Sequence, residues 1–420
     1  MVDRRTVLLA LLATPLVAAC RLEDKAGVVR GAGGTSDLVS SSVARAPGDG
    51  AALPAAVRSL WTIGGGLWEQ LSGEAGNLAL SPYSIATALA MTVNGAAGQT
   101  RAEMLAVLAA ASADELNQGV NALTREVEAL ASKKVTLAAA NQLFGQRGVA
   151  WEQDFLDVLA REYGAGLRTV DYAGATEAAR DAVNSWTAEQ THDRIAQILP
   201  PGSVGALTRL VLVNALYFKA PWAEQLDEPM TQPGDFHLAD GSTVEVPTMH
   251  AVLAQAAVAA GDGWQAVRLP YDGHELAMTV VLPDVGREVD PAELPTILAA
   301  PRPGGVELAL PRWTFRTEVS LRELLTGLGM PTAFDVTRAD FTPMTDSDEH
   351  LLIDDVYHQV FVAVDEHGTE AAAATAVAVR ATSAISTRHR LVVDRPFLFV
   401  IHDLAHGTPL FVGRVDDPRG

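Results

Sequence analysis

From residue 53 onward the hydrophobic and polar positions follow helical and strand periods in turn, without a second linker or an internal repeat. Ser81-Pro82 predicts a helix start, because a hydroxyl can cap the first turn and proline suits the first helical position. Capping-box spacing at Thr100–Glu103 and Ser112–Glu115 predicts two more helix starts. Continuous apolar runs, typical of strands buried on both faces, predict strands at Leu210–Phe218, Leu276–Leu282, Val306–Leu310, Val356–Val364, Leu391–Ile401 and Leu410–Val415. The pattern indicates one mixed α and β unit over residues 53–418.

The first 19 residues have the layout of an export signal. Arg4-Arg5 precede a mostly apolar run, Val7–Ala19, which is too short to cross a bilayer that takes about 20 residues. Ala18-Ala19 stand directly before Cys20, as in the lipobox of bacterial lipoproteins, and this resemblance implies that Cys20 is lipidated after cleavage. The alternatives are simple secretion after cleavage at an alanine, or a buried structural cysteine. Arg4-Arg5 also resembles a twin-arginine export signal.

Residues 20–52 are rich in Gly, Ser, Ala and Arg and have no sustained apolar period. Such a segment buries too little surface to offset the entropy of ordering it, so a flexible tether is expected. The predicted organisation is a signal peptide at residues 1–19, a lipidated cysteine with a tether at 20–52, and a folded domain at 53–418. We expect an exported protein, held at the extracellular face of a membrane only through the lipid on Cys20 and otherwise secreted.

Composition narrows the possible partners. The chain has 31 Lys and Arg against 51 Asp and Glu, a net charge of −20, so nucleic acid, anionic lipid and heparin-like polyanions are repelled over most of the molecule. Cys20 is the only cysteine, which excludes an intrachain disulfide or a thiolate metal site. With 48% hydrophobic and 20% charged residues the chain can build a large core, and packing alone must hold it.

The sequence offers no pattern for catalysis. His402 and His406 flank Asp403 near the end of a predicted strand and lack the arrangement of a helical zinc motif. The run Gly202-Ser203-Val204-Gly205 lacks the leading glycine of a nucleophile elbow, and no strand feeds it. We therefore expect no enzyme, no cofactor and no metal.

The segment 365–380 admits two interpretations. Its alanines favour a short helix or a low-complexity loop. Read as a strand, it has one row of small or β-branched residues and an opposite row with charges only at its ends. The first row is Thr369, Ala371, Ala373, Thr375, Val377 and Val379; the second is Glu370, Ala372, Ala374, Ala376, Ala378 and Arg380. Gly368 offers a hinge before both rows, so the segment is a loop able to become a central strand.

From about residue 56 to 418 the sequence strongly resembles the serpin family. The resemblance is carried by Ser81-Pro82-Tyr83-Ser84-Ile85, Asn141-Gln142-Leu143-Phe144, Asn184-Ser185-Trp186, Val213-Asn214-Ala215-Leu216-Tyr217-Phe218-Lys219, the run Gly368-Thr369-Glu370-Ala371-Ala372-Ala373, and Arg395-Pro396-Phe397-Leu398-Phe399. It implies an α+β fold of three β-sheets with eight or nine helices and an exposed reactive loop. It also implies a one-use trap that holds a serine or cysteine protease covalently while the cleaved loop inserts into the central sheet.

The resemblance assigns roles by position. It implies a hinge formed by Glu366, Gly368, Thr369, Glu370, Ala371, Ala372, Ala373, Ala374 and Thr375. A polar gate beneath the opening of the sheet is implied for Ser81, Ser84, Asn184 and His358, with Trp222 where the loop first inserts.

The cut site follows from the hinge. Counting fifteen residues from Gly368 puts the scissile bond between Thr382 and Ser383, with Arg380 and Ala384 as alternatives. Cleavage at Thr382 or Ala384 suits an elastase-like or subtilisin-like protease, whereas cleavage at Arg380 suits a trypsin-like one.

Three classes of function remain to be compared. The leading hypothesis is an inhibitory monomer whose partner is its target protease, because every inserting hinge residue is small. The second is a non-inhibitory binding protein with the same fold. The third, a lipoprotein enzyme, lacks a nucleophile and base.

Overall fold

The computed structural model describes residues 27–29, 36–131, 134–346, 350–370 and 389–420 of the chain. Within these ranges it has eight α-helices. They are α1 (Leu53–Leu71), α2 (Pro82–Val93), α3 (Gly98–Val107), α4 (Ala113–Leu130), α5 (Gln153–Val158), α6 (Thr176–Gln190), α7 (Leu294–Ala299) and α8 (Arg322–Gly327). Helix α5 continues into one π-helical turn, Leu159–Tyr163. Short 3-10 turns cover Gly50–Ala52, Glu228–Met230, Pro291–Glu293 and Thr332–Phe334.

The strands of the described residues form three sheets. In chain order they are β1 (Gly27–Val29), β2 (Asp37–Ser40), β3 (Leu78–Leu80), β4 (Thr136–Gln146), β5 (Leu167–Val170), β6 (Leu210–Pro221), β7 (Gln232–His237), β8 (Thr243–Leu253), β9 (Ala257–Gly261), β10 (Trp264–Pro270), β11 (Leu276–Pro283), β12 (Arg302–Pro303), β13 (Val306–Pro311), β14 (Trp313–Ser320), β15 (Asp355–Asp365), β16 (Gly368–Thr369), β17 (Arg390–Val392), β18 (Phe397–Asp403) and β19 (Pro409–Val415). Sheet A has the order β1-β2-β5-β4-β6-β16-β15-β14, sheet B has β12-β9-β10-β11-β18-β19-β3, and sheet C has β17-β13-β8-β7.

Sheet A is buried on both faces, which explains the continuous apolar runs of its central strands. On β6, Leu212 and Leu216 belong to the main core. Val211 and Val213 point to the opposite face and join a second core that also includes Val183 of α6. Helix α6 therefore covers the front of sheet A, and the main core fills the space behind it.

Two of the three predicted helix starts are confirmed. Ser81 and Ser112 cap α2 and α4, each accepting a hydrogen bond from the backbone N–H three residues later at 3.1 Å. The prediction at Thr100 is wrong, because α3 already begins at Gly98. The Thr100 hydroxyl accepts a bond from the backbone N–H of Asp340 instead. A side chain that the sequence spacing assigns to a helix cap thus makes a tertiary contact instead.

The predicted strands appear as elements, except that Leu391–Ile401 is divided. Its first part is β17 in sheet C and its second part is β18 in sheet B. Pro396 has no N–H for a ladder, and the backbone carbonyl of Asp394 accepts a bond from His237 N at 2.7 Å. The chain therefore crosses between two sheets at this point, a change of layer that an uninterrupted apolar pattern does not reveal.

The prediction of a flexible tether through residue 52 is wrong for residues 37–52. Strand β2 pairs antiparallel with β5, so it extends sheet A. Farther along, Ala46 N donates to the carbonyl of Arg161, and Arg45 forms a 2.7 Å ion pair with Glu128 of α4. We call residues 36–52 the N-terminal strap. The strap consists mostly of polar and small residues and is held by a few specific contacts. Composition does not reveal such contacts, so it indicates a flexible segment.

The strap generates a testable prediction at Gly48. This residue has φ +79°, and a Cβ added there would lie 2.5 Å from the backbone nitrogen of Ala122. Gly48→Ala should therefore lower the free energy of unfolding by about 1–3 kcal/mol in urea titration. Gly50→Ala is the matched control, because a Cβ there meets no atom within 4 Å, and it should change stability by less than about 0.5 kcal/mol. Equal effects of the two substitutions would contradict a docked strap.

Candidate functional site

The candidate site lies between the central strands β6 and β15 of sheet A. The two strands pair directly and in parallel from the Asp355–Val211 pair to the Val360–Leu216 pair. Above this ladder they separate, and the two residues of β16 occupy the space between them. We call this space the gap. Sheet A is therefore closed over its lower part and already admits the start of another strand at its upper end.

Strand β16 makes antiparallel pairs on both sides. Gly368 lies opposite Asp365 of β15 and Pro221 of β6, and Thr369 lies opposite Val364 and Ala220. A Cβ on residue 368 would lie 2.1 Å from the carbonyl oxygen of Ala220, so a side chain there would force the strands apart. Glycine is therefore required by the close approach of β6.

Thr369 faces the core, and Glu370 faces the opposite side. The Thr369 hydroxyl lies 2.6 Å from that of Tyr271. Glu370 forms an ion pair with Arg194, in the loop after α6. Burial raises the pKa of the Glu370 carboxyl above its usual range, although Arg194 and Lys219 oppose the shift.

The chain leaves sheet A at Glu370. Its backbone N–H still bonds the carbonyl of Ala363 at 2.8 Å, but its φ is +47°. A left-handed conformation is costly for a residue with a side chain, and here it turns the backbone out of the gap. For the strand to grow further, Glu370 must change to an extended conformation.

Glu366 anchors the other end of β16. Its buried carboxylate accepts a 2.7 Å bond from Arg312 Nε and a bond from the Thr231 hydroxyl. Burial tends to raise the pKa of Glu366, but the bonds from Arg312 and Thr231 outweigh it and hold the pKa below its usual range. Glu366 is therefore a charged anchor just before β16.

Trp222 lies at the top of the gap. Its indole Nε1 donates to the carbonyl of Asp365 at 2.9 Å, and its backbone N–H donates to the carbonyl of His367. Its ring stacks on Tyr271 at 4.7 Å between centroids, with 9° between the planes. Because Tyr271 also contacts Thr369, the two rings form one wall against which the first inserted residues pack.

A buried polar network lies beneath the gap. Ser81 N donates to His358 Nε2 at 3.1 Å, and His358 Nδ1 lies 2.5 Å from Asn214 Oδ1. Asn214 Nδ2 donates to the Ser84 carbonyl, and Ser84 Oγ donates to Asn141 Oδ1 at 2.5 Å. Asn141, Asn214 and His358 are register partners across β4, β6 and β15. This polar row ties the central strands to the start of α2.

The charge state of His358 follows from these contacts. Because Nε2 accepts a bond from a backbone N–H, the ring proton sits on Nδ1 and is donated to Asn214. Burial lowers the pKa of His358 to about 3. The ring is therefore neutral at physiological pH, and it acts here as a hydrogen-bond bridge between β15, β6 and α2.

Asn184 does not belong to this network, and its predicted assignment to the gate is wrong. Its side chain is on α6, where it accepts bonds from the N–H groups of Ile198 and Leu199 and donates to the Leu199 carbonyl. That position is on the opposite side of sheet A. Asn214 holds the place expected for Asn184. The sequence did contain a signal for this role, because Asn214 is a polar residue inside the otherwise apolar run Leu210–Phe218.

The other sequence-predicted site residues are on segments not described. These are hinge residues Ala371–Thr375, the candidate cleavage residues Arg380, Thr382, Ser383 and Ala384, and Cys20. Across the described ranges, no group of three or more His, Cys, Asp or Glu side chains is arranged to hold a metal ion. Within the same ranges, no helix combines the length and apolar character needed to cross a membrane.

Comparisons with known proteins agree on one family. Residues 63–418 match the family described as Serpin (serine protease inhibitor). An uncharacterized serpin-like protein of Thermococcus kodakarensis is 36% identical over 363 residues, covering 84% of this chain and 83% of that protein. The leukocyte elastase inhibitor of Xenopus tropicalis is 33% identical over 355 residues, covering 82% of this chain and 93% of that protein.

A solved structure shows the same architecture. The thermophilic serpin Tengpin, in its native state, matches with a TM-score of 0.80 over 90% of this chain and 97% of that one. Its sequence identity is 24%, so the likeness concerns the fold. The expected arrangement of three sheets with eight or nine helices is confirmed, with eight α-helices in the described part of the chain. By its family match and its relatives, the chain belongs to the serpin family, whose members are mostly protease inhibitors rather than enzymes.

Proposed function

We propose that this serpin is inhibitory and traps a serine or cysteine protease as a covalent acyl-enzyme. The observation that carries the proposal is the gap: Gly368 and Thr369 already pair with β6 on one side and β15 on the other. The protease nucleophile attacks the carbonyl of the residue before the scissile bond, and the new amino terminus leaves. The freed hinge then lengthens β16 and carries the attached enzyme along sheet A, where its active site is distorted before water can release it.

The energy of insertion is sufficient to drive such a movement. If about 12 residues gain ladder hydrogen bonds worth roughly 0.5–1.5 kcal/mol each, insertion yields on the order of 6–18 kcal/mol. This range is comparable with the whole stability of a typical domain. The uncleaved form would then be metastable and kept from the inserted form by a kinetic barrier.

The side chains of the first hinge residues point alternately to the two faces of sheet A, which supports insertion as a strand. Thr369 packs against Tyr271 in the core, and Glu370 meets Arg194 on the front of the sheet. Continuing this alternation puts Ala371 and Ala373 on the core side, where small side chains fit without a clash or an unpaired charge.

Opening the sheet has a defined first obstacle. The β6–β15 ladder must separate below the gap, and the bond between Asn214 and His358 joins those two strands directly. We propose that the polar row acts as the gate. Its bonds hold the sheet closed until a cleaved hinge can replace them with a new pair of ladders.

The proposed cut lies between Thr382 and Ser383, with Ala384 and Arg380 as alternatives. We favour the small residues, and therefore an elastase-like or subtilisin-like target. One relative at 33% identity is named a leukocyte elastase inhibitor, which agrees with this preference. Cleavage at Arg380 would indicate a trypsin-like target and would shorten the inserting segment.

The proposal is tested by mixing the protein with elastase-like, subtilisin-like and trypsin-like proteases. We expect a complex with at least one of them that survives denaturing gel electrophoresis, because the acyl bond is covalent. Sequencing the released fragment identifies the cut. Heating tests insertion itself, since a nicked loop that inserts should raise the unfolding temperature sharply, whereas one that stays outside the sheet should not. Cleavage without a stable complex across the panel, and without such a rise, would contradict the proposal.

Thr369→Arg should convert the inhibitor into a substrate. The arginine would enter the core-facing row beside Tyr271, where an unpaired charge costs several kcal/mol, so insertion would slow until water hydrolyses the acyl bond. The measurement is the number of inhibitor molecules consumed per protease molecule inactivated, which should rise severalfold. Thr369→Ser keeps the hydroxyl and is the matched control. An unchanged ratio for Thr369→Arg would show that residue 369 does not face the core during insertion.

We also propose that the protein is exported and anchored through lipid on Cys20. The support is the sequence alone: an export-like segment, and Ala18-Ala19 before the single cysteine. The protein expressed in a bacterial host should partition into a detergent phase, whereas Cys20→Ser should partition into water. Detergent partitioning that is the same for both proteins would contradict lipidation at Cys20.

A further inference from the structure

A cavity of about 320 Å³ lies between α2, α4 and β4, apart from the gap. Its apolar walls include Met91 of α2, Val127 of α4 and Leu137 of β4. Ligand sites for small molecules have volumes of about 300–1,000 Å³ and combine apolar walls with a few polar groups. The volume and lining are therefore those of a small-molecule site.

Several polar side chains also line the cavity, and Asn141 and Glu128 bear most directly on the kind of ligand it would hold. Asn141 lines it, and its side-chain oxygen already accepts from Ser84, which leaves its amide NH2 as the group available to a ligand. Glu128 also lines it and is paired with Arg45 of the strap. The Asn141 amide is a donor, so it favours a ligand that carries an acceptor.

The charges around the cavity exclude an ionic ligand. An anion is disfavoured by the net charge of −20, and any unpaired charge is costly to move from water into a partly apolar cavity. A cation would find that carboxylate already neutralised by Arg45 at 2.7 Å. We propose that this cavity binds a neutral amphipathic small molecule with an apolar body and a hydrogen-bond acceptor. The proposal does not depend on protease inhibition, because binding concerns the intact, uncleaved protein.

Two fluorescent probes that share a ring system test the site on the full chain. 6-Propionyl-2-(dimethylamino)naphthalene is neutral and carries a ketone acceptor, whereas 8-anilinonaphthalene-1-sulfonate is an anion on the same naphthalene ring. We expect saturable fluorescence enhancement with the neutral probe and at least about tenfold weaker binding of the sulfonate. The neutral probe should also raise the unfolding temperature, because it binds the folded state.

A variant that fills the cavity shows whether the signal comes from this site. Ala139 of β4 lines the cavity and is the register partner of the core residue Leu216, so Ala139→Phe adds a ring inside it. This variant should bind the neutral probe at least about tenfold more weakly. The control is Ala254→Phe, at an exposed alanine just beyond β8, which should leave binding unchanged. Ala165→Phe, at another lining position, replaces Ala139→Phe if circular dichroism shows that the latter is not folded.

Three results would overturn the proposal. The first is the absence of saturable binding of the neutral probe to the unaltered protein. The second is binding that persists in the folded filling variant. The third is sulfonate binding as tight as that of the neutral probe and abolished by Ala139→Phe, which would show that the cavity accepts anions. Because inhibition is measured separately, none of these results bears on the proposed protease trap.

Discussion

The hydrogen-bond ladder between β6 and β15 is the constraint on which the rest of the molecule depends. It joins six pairs of residues, from Asp355–Val211 to Val360–Leu216, and ends a few residues before Val364 and Ala220, which pair with β16. A strand of two residues gains too few bonds to separate a paired sheet by itself, since each bond contributes only about 0.5–1.5 kcal/mol net. The ladder therefore limits how far β16 extends into sheet A.

Contacts at both ends hold β16 in this position. Before it, Glu366 is bound by Arg312, which connects β13 to β14. After it, Glu370 pairs with Arg194 and turns the backbone out of the sheet. The two arginines come from different parts of the chain. The position of β16 therefore depends on how sheet A and the loop after α6 pack together. A short strand is thereby kept at a defined register without a long ladder of its own.

Below the gap, the polar row of Asn141, Asn214 and His358 puts hydrogen-bonding groups where an apolar core would otherwise continue. Its bonds run in defined directions because His358 is neutral and carries its proton on Nδ1. Buried networks of this kind are stable only when each member has its partner. For the proposed trap, in which the sheet first stays closed and then opens, a few directional bonds suit the closed state better than interlocked apolar side chains.

Much of the local structure was predictable. The caps at Ser81 and Ser112 depend on residues three positions apart, and the apolar runs of β6 and β15 reflect burial on both faces. The same local logic failed at Thr100, whose hydroxyl binds a residue 240 positions away. It also failed within Leu391–Ile401, where the chain leaves one sheet for another while the apolar pattern continues.

The sequence by itself determined the helix starts, the buried strands, the small residues of the hinge and the family resemblance, because these depend on side-chain type and short spacing. Only the tertiary structure decided that Asn214, and not Asn184, meets His358, and that the strap docks on β5 and α4. Those choices depend on strand register and on which faces pack together. Asn184 on α6 and Asn214 on β6 have different partners because they lie on opposite sides of sheet A.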